Sequence, residues 1–171
     1  MIQYIKDNKI KFPEEITLII DGQEINNPTR EQLLENGWIV YSPLDYDLGF
    51  QKRKKTTELK IYDHSIDVNS FFVGDIQAWI DRDTRVSLMN STTILKNSGQ
   101  ETTTLWLNGQ SFTIPCDSLI QMLGVLEVYA LQCYNVTEQH KTNVNNLETI
   151  EEIKNYDFKV GYPEKLVFSI Q

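Results

Sequence analysis

Phe71-Phe72-Val73-Gly74-Asp75-Ile76-Gln77-Ala78-Trp79-Ile80 and Leu105-Trp106-Leu107-Asn108-Gly109-Gln110-Ser111-Phe112-Thr113-Ile114 carry one pattern twice, offset by 34 residues. Phe72 falls on Trp106, Ile80 on Ile114 and Asp83 on Asp117. Each stretch reads as a β-hairpin closed by a two-residue turn. Asn108-Gly109 is the stronger turn, because both residues tolerate the positive φ angles such turns need. Each is followed by an apolar-periodic run. Asp83 and Asp117 are placed to accept hydrogen bonds from the free amides of a first helical turn.

The second helix is the better one. Leu119, Met122, Leu123, Leu126, Tyr129, Ala130, Cys133 and Val136 recur three and four apart, and the run continues through His140 to about Asn143. The first, about Thr84 to Lys96, contains Ser91-Thr92-Thr93, which are poor helix formers. Two neighbouring ββα units predict a four-stranded antiparallel sheet with both helices on one face. Trp79 then falls on the opposite face.

Outward from this pair, residues 1–43 read as a small β-rich module. Asp7-Asn8 and Asp21-Gly22 are hairpin turns. Thr29 and Gln32 have the spacing of a capping box, and Gly37 suits a left-handed helix stop. Trp38-Ile39-Val40-Tyr41 follows as a strand. Residues 44–67 are a linker or a weak helix, about Asp47 to Tyr62. Residues 68–171 form the duplicated C-terminal domain. It closes with a short helix opened by a second capping box, Thr149 to Glu152, and a last apolar strand, Leu166 to Ile170, which needs a partner along its edge. The fold class is α+β.

Composition bounds the function. The chain has 171 residues, is 40% hydrophobic and carries a formal charge of −8. Such a balance argues against a dedicated nucleic-acid binder, which needs excess Lys and Arg on its contact face. No apolar run approaches the ~20 residues of a membrane helix. The N-terminus lacks the charged-then-apolar layout of a signal peptide, so synthesis in a cytoplasm is expected. Cys116 and Cys133 are read as free thiols, ~25 Å apart along one helix.

Candidate chemistry is sparse. His64 and His140 have no second ligand at metal spacing, and both are read as surface imidazoles. No phosphate-cradling loop, nucleophile elbow or zinc-type cysteine pair is present. No catalytic, cofactor-binding or metal-binding residue is assigned, no cofactor is expected, and the chain is not expected to be an enzyme. What remains is surface. Indoles concentrate at protein interfaces, so Trp38 and Trp79 are candidate interface residues, with Tyr41 on the strand that Trp38 opens. The basic run Lys52, Arg53, Lys54, Lys55 is a candidate anion or partner contact, against the plainer reading of a solvated helix face.

Several motifs, in order, carry a likeness. They are Tyr62 to Phe71, Trp79-Ile80-Asp81-Arg82-Asp83-Thr84-Arg85, Thr103-Thr104-Leu105-Trp106 with Asn108-Gly109-Gln110, and Leu126 to Tyr134. The ending Leu147 to Ile150, Tyr156-Asp157 and Gly161-Tyr162-Pro163 completes the set. Together they resemble a domain family of unknown function found in tailed bacteriophages and prophages, often at the C-terminus of proteins resembling tail-fibre assembly proteins. The likeness spans roughly residues 60–168. Asn27-Pro28-Thr29 to Gly37-Trp38 is similar to a small module in short phage proteins of gut Bacteroidetes. The family has no established catalytic residues, so none is carried over. The resemblance implies a structural virion protein made in the host cytoplasm. It would be a fibre or adaptor component that binds other capsid, fibre or tail proteins and copies of itself. The alternative it implies is a tail-fibre assembly chaperone that is not retained in the virion.

Overall fold

The computed structural model describes residues 2–169. The N-terminal elements are β1 (Gln3–Lys6), β2 (Lys9–Lys11), β3 (Thr17–Ile20), β4 (Gln23–Asn26), α1 (Arg30–Glu35), β5 (Ile39–Tyr41) and α2 (Leu48–Asp63). There follow β6 (Phe71–Val73), β7 (Ile76–Ala78), α3 (Arg82–Asn97), β8 (Thr102–Leu107), β9 (Gln110–Pro115), α4 (Cys116–Asn146), α5 (Ile150–Asn155) and β10 (Val167–Phe168). Helices and small, mainly antiparallel sheets make this an α+β protein.

The chain packs as two units. One comprises the N-terminal residues through Arg53 together with Glu148–Lys154. The other comprises Lys54–Leu147 and the chain from Asn155 onward. The change of unit falls inside α2, and the short α5 is counted almost wholly with the first.

In the first unit, Asp7 and Asn8 take φ of 51° and 61°, which closes β1 on β2 as a tight hairpin. β5 pairs on the other side of β1, giving the order β2-β1-β5, while β3 and β4 form a separate hairpin. The capping box of α1 is present: Gln32 N–H donates to Thr29 Oγ1, and Thr29 N–H donates to Gln32 Oε1. Tyr4, Ile16, Leu18 and Leu33 bury together, with Ile20, Ile25 and Trp38 against them.

In the second unit both hairpins and both helices share one core. Phe71, Val73, Ala78 and Ile80 from the first copy meet Leu105, Leu107 and Ile114 from the second, and Leu119, Met122, Leu123 and Leu126 of α4 close over them. Burying one such leucine contributes about 1.5–3 kcal/mol, so this cluster is the main source of the unit's stability.

Two expectations need correcting here. The four-stranded sheet does not form. β8 pairs only with β9 among the described residues, and β6 and β7 belong to a sheet of order β10-β6-β7. One edge of the first hairpin is taken by β10, which runs parallel to β6 with Val167 opposite Phe72 and Phe168 opposite Val73. Between the hairpins runs a side-chain bond, Asn108 Nδ2–H to the Gln77 carbonyl at 2.8 Å. Three-residue strands beside six-residue strands offer few ladder bonds, and the shared core is satisfied without them. The last strand therefore has its partner within the chain; Ile170, read as its end, lies outside the described residues.

The caps are also displaced. α3 is capped by Asp81, whose carboxylate accepts from Thr84 N–H at 3.0 Å and from the Thr84 hydroxyl at 2.7 Å. Asp83 sits in the first turn, where its charge suits the helix dipole. α4 begins at Pro115 with no side-chain cap, and its Cys116 amide donates instead to the Glu101 carbonyl at 2.9 Å. Asp117 pairs with Lys96.

Candidate functional site

Trp79 lies one residue beyond β7, and it does not face away from the helices. Its ring meets Tyr129 of α4 edge-on at 6.2 Å between centroids, and the Arg85 guanidinium stands 5.2 Å over it. The expected outer-face position is overturned because the chain must turn inward at Trp79 to enter α3. The indole then fills the angle between the hairpin and α4.

Arg85 anchors this corner. It is only 5% exposed, donates Nη1–H to the Ile80 carbonyl at 2.6 Å, and pairs its Nε with Glu127 Oε2 at 2.9 Å. Glu127 is half exposed, so the pair is hydrated on one side and is not an isolated buried charge. Outside it runs a shallow groove of about 350 Å³ between α3 and α4, lined by Arg82, Glu127, Ala130, Leu131 and Tyr134.

Trp38 is half-buried against the core of the first unit. Tyr41, on β5, stacks at 5.2 Å on Tyr46. The basic run lies on α2, with Arg53 and Lys54 exposed and Lys52 and Lys55 half-buried. Lys55 Nζ donates to the Tyr156 carbonyl at 3.3 Å and stands 5.6 Å from the Phe158 ring centre, so this lysine is engaged in internal packing. Trp38 and Tyr41 belong to the first unit and Trp79 to the second, while the basic run spans the change of unit inside α2.

His140 also differs from expectation. It is 8% exposed, with Nδ1 bonded to the Tyr156 hydroxyl at 2.7 Å and Nε2 to the Val160 carbonyl at 2.9 Å. A carbonyl only accepts, so Nε2 carries the proton and Nδ1 accepts from Tyr156. The Tyr156 hydroxyl in turn accepts from Asn143 Nδ2–H at 3.0 Å. One turn earlier, Thr137 donates its hydroxyl proton to Asp63 at 2.6 Å and meets the Tyr162 hydroxyl at 2.8 Å. Val68 packs with Tyr129 and Cys133, and Tyr129 donates to the Val68 carbonyl at 2.7 Å. Burial pushes the Tyr129, Tyr162 and Cys133 groups above their ordinary pKa values, so all three stay neutral. These groups are spent on one another: the network straps the segment after Asn155 to α4. His64 is exposed at the end of α2 and bonds the Lys60 carbonyl.

Both cysteines are buried thiols. Among the described residues no three His, Cys, Asp or Glu side chains stand close enough to hold a metal ion, and no helix is long and apolar enough to cross a membrane.

Residues that sequence reasoning passed over stand on the surface. Trp106 is 66% exposed on β8, on a face it shares with Thr104, Ser111 and Thr113. Val125, Val128, Leu131 and Tyr134 are exposed along α4. The signal was available, since the helical period that marks the buried side of α4 also marks its outer side.

Compared with known proteins, the chain matches no family model, no curated protein and no solved structure.

Proposed function

We propose that this chain is a structural bacteriophage virion protein, a fibre or adaptor component that binds other capsid, fibre or tail proteins and copies of itself. The observation that carries the reading is the ordered set of motifs from Tyr62 to Pro163 and its likeness to the phage domain family. The surface supports it. Trp106 and the α4 side chains Val128, Leu131 and Tyr134 are large, exposed and uncharged, a composition that favours protein contact. The buried polar groups support it too: Gln51, Ser70, Arg85, Thr137 and His140 each bond within the fold.

In this role the chain needs no cofactor, nucleic acid or membrane, works without catalysis, is made in the host cytoplasm and is carried in the virion. Mass spectrometry of purified particles tests it. The chain is expected at a fixed stoichiometry with other virion proteins. Its absence from particles, with abundance in infected cells, would reject the structural role and favour the assembly chaperone.

A further inference from the structure

The outward side of α4 carries a second periodicity that its core does not require. Ser118, Val125, Gln132, Gln139 and Asn146 recur every seven residues. Gln121, Val128, Asn135 and Thr142 recur every seven residues between them, giving alternating steps of three and four. All nine positions are exposed. None is charged. Protein surfaces carry charge at about 25–35% of positions, so nine positions would ordinarily hold about two or three charges. Any helix face offers a 3-4 spacing; what singles this one out is that it is uncharged along four heptads, with Val125 and Val128 at adjacent positions where a coiled coil would place its apolar contacts.

We propose that this stripe is where the chain pairs with a second copy of itself, α4 against α4, in parallel. Three features select that occupant. First, two copies of a chain of formal charge −8 repel, and an uncharged face is where they approach at least cost. Second, glutamine and asparagine each donate and accept, so the stripe can satisfy itself; an apolar partner would leave these amides unpaired, and a charged one would find no counter-charge. Third, the stripe has direction. Val125 and Val128 sit towards its N-terminal end, while Gln132, Asn135 and Gln139 follow. Parallel pairing sets valine on valine and amide on amide, in the way that single buried asparagines set register in coiled coils. Antiparallel pairing centred on Gln132 would set Val125 against Gln139.

The size of the seam fixes its strength. Thirty-one residues make a helix about 46 Å long and about 10 Å wide, so the two copies together would bury about 900 Å². That is just below the range of stable interfaces, so micromolar dissociation is expected. Leu131, exposed beside the seam, widens it. This inference deepens the self-association in the proposed function and rests on nothing else in it. A chain that pairs through α4 yet is absent from particles would end the virion reading alone.

Sedimentation of the full chain over a concentration series up to about 100 μM is the test, with Val128→Glu beside it. Val128 is 57% exposed, so the variant is expected to fold, with unchanged circular dichroism and melting. The wild type is expected to self-associate, and the variant to need at least tenfold higher concentration. Oxidation of Asn135→Cys is expected to give a cross-linked dimer, because parallel pairing sets each copy's new thiol beside the other. Wild type, whose two thiols are buried, is expected to give none. A monomeric wild type, an unaffected Val128→Glu, or cross-linking only in a mixture of Val125→Cys and Gln139→Cys would each overturn the proposal.

Discussion

The two copies of the strand-pair-and-helix pattern meet different fates in one core. In the first, Phe72 is half-buried, with the Lys165 ammonium 6.0 Å from its ring centre and Val167 opposite it on β10. Its counterpart in the second, Trp106, faces Ser111 and solvent. The first hairpin has three-residue strands and gains a third strand from the end of the chain. The second has six-residue strands that, among the described residues, pair with each other alone. One helix starts with a side-chain cap, the other with proline and a borrowed carbonyl. A repeated local pattern therefore sets the inward side chains of both copies. Their outward side chains are set by what the rest of the chain lays over them.

The inward equivalence can be broken at matched positions. Phe71 and Leu105 occupy the same place in the two copies and are both fully buried. Phe71→Ala is expected to cost about 3–5 kcal/mol and Leu105→Ala about 2–5 kcal/mol in urea unfolding. A loss below about 1 kcal/mol at either would show that the copies do not share one cooperative core. The tryptophans sharpen the outward difference. Trp79→Ala is expected to cost about 3 kcal/mol, and Trp106→Ala to stay within about 0.5 kcal/mol. If the two variants unfold at equal denaturant, the contrast fails.

Thr137→Val removes a donor and leaves the Asp63 and Tyr162 oxygens short of a partner; a loss of about 1–3 kcal/mol is expected. Hydrogen exchange in that variant should speed first in the strap after Asn155.

The smallest effect concerns the caps. Asp81→Ala is expected to lower the melting temperature more than Asp117→Ala, which loses only an exposed ion pair and a first-turn charge. The Thr84 hydroxyl bond, followed by the Thr84 amide bond, holds the Asp81 carboxyl below its ordinary value of 3.8. Its contribution is therefore complete above that value and is lost as the pH falls through the lowered one. Wild type and Asp81→Ala should converge in acid. A gap that persists there would assign the loss to something other than the cap.

What was legible in the chain was local. Asp7-Asn8, Asp21-Gly22 and Asn108-Gly109 all take the expected turn geometry, with φ of 51° and 79° at Asp21 and Gly22. The capping boxes at Thr29 and Thr149 form as their spacing implies, and the buried side of α4 follows its three-and-four period from Leu119 to Cys133. What was not legible depends on distant partners. Nothing near Val167 says that it pairs in parallel with Phe72. Nothing near His140 says that Tyr156 and Val160 return to enclose it. Trp79 shows the same limit at short range, since its side depends on whether the strand continues or turns into a helix. The exposed face of α4 was readable, but only once its charge was counted as well as its hydrophobicity.

The parallel pairing of β10 with β6 also bears on how the protein is made. A ribosome releases Phe72 roughly a hundred residues before it releases Val167, which is on the order of ten seconds of synthesis. Through that interval the outer edge of β6 has no strand beside it, and nascent chains on one messenger are close neighbours. Completion of this sheet waits for the codons of Val167 and Phe168, so ribosomes stalled before them would hold chains whose first hairpin is still open to the wrong strand.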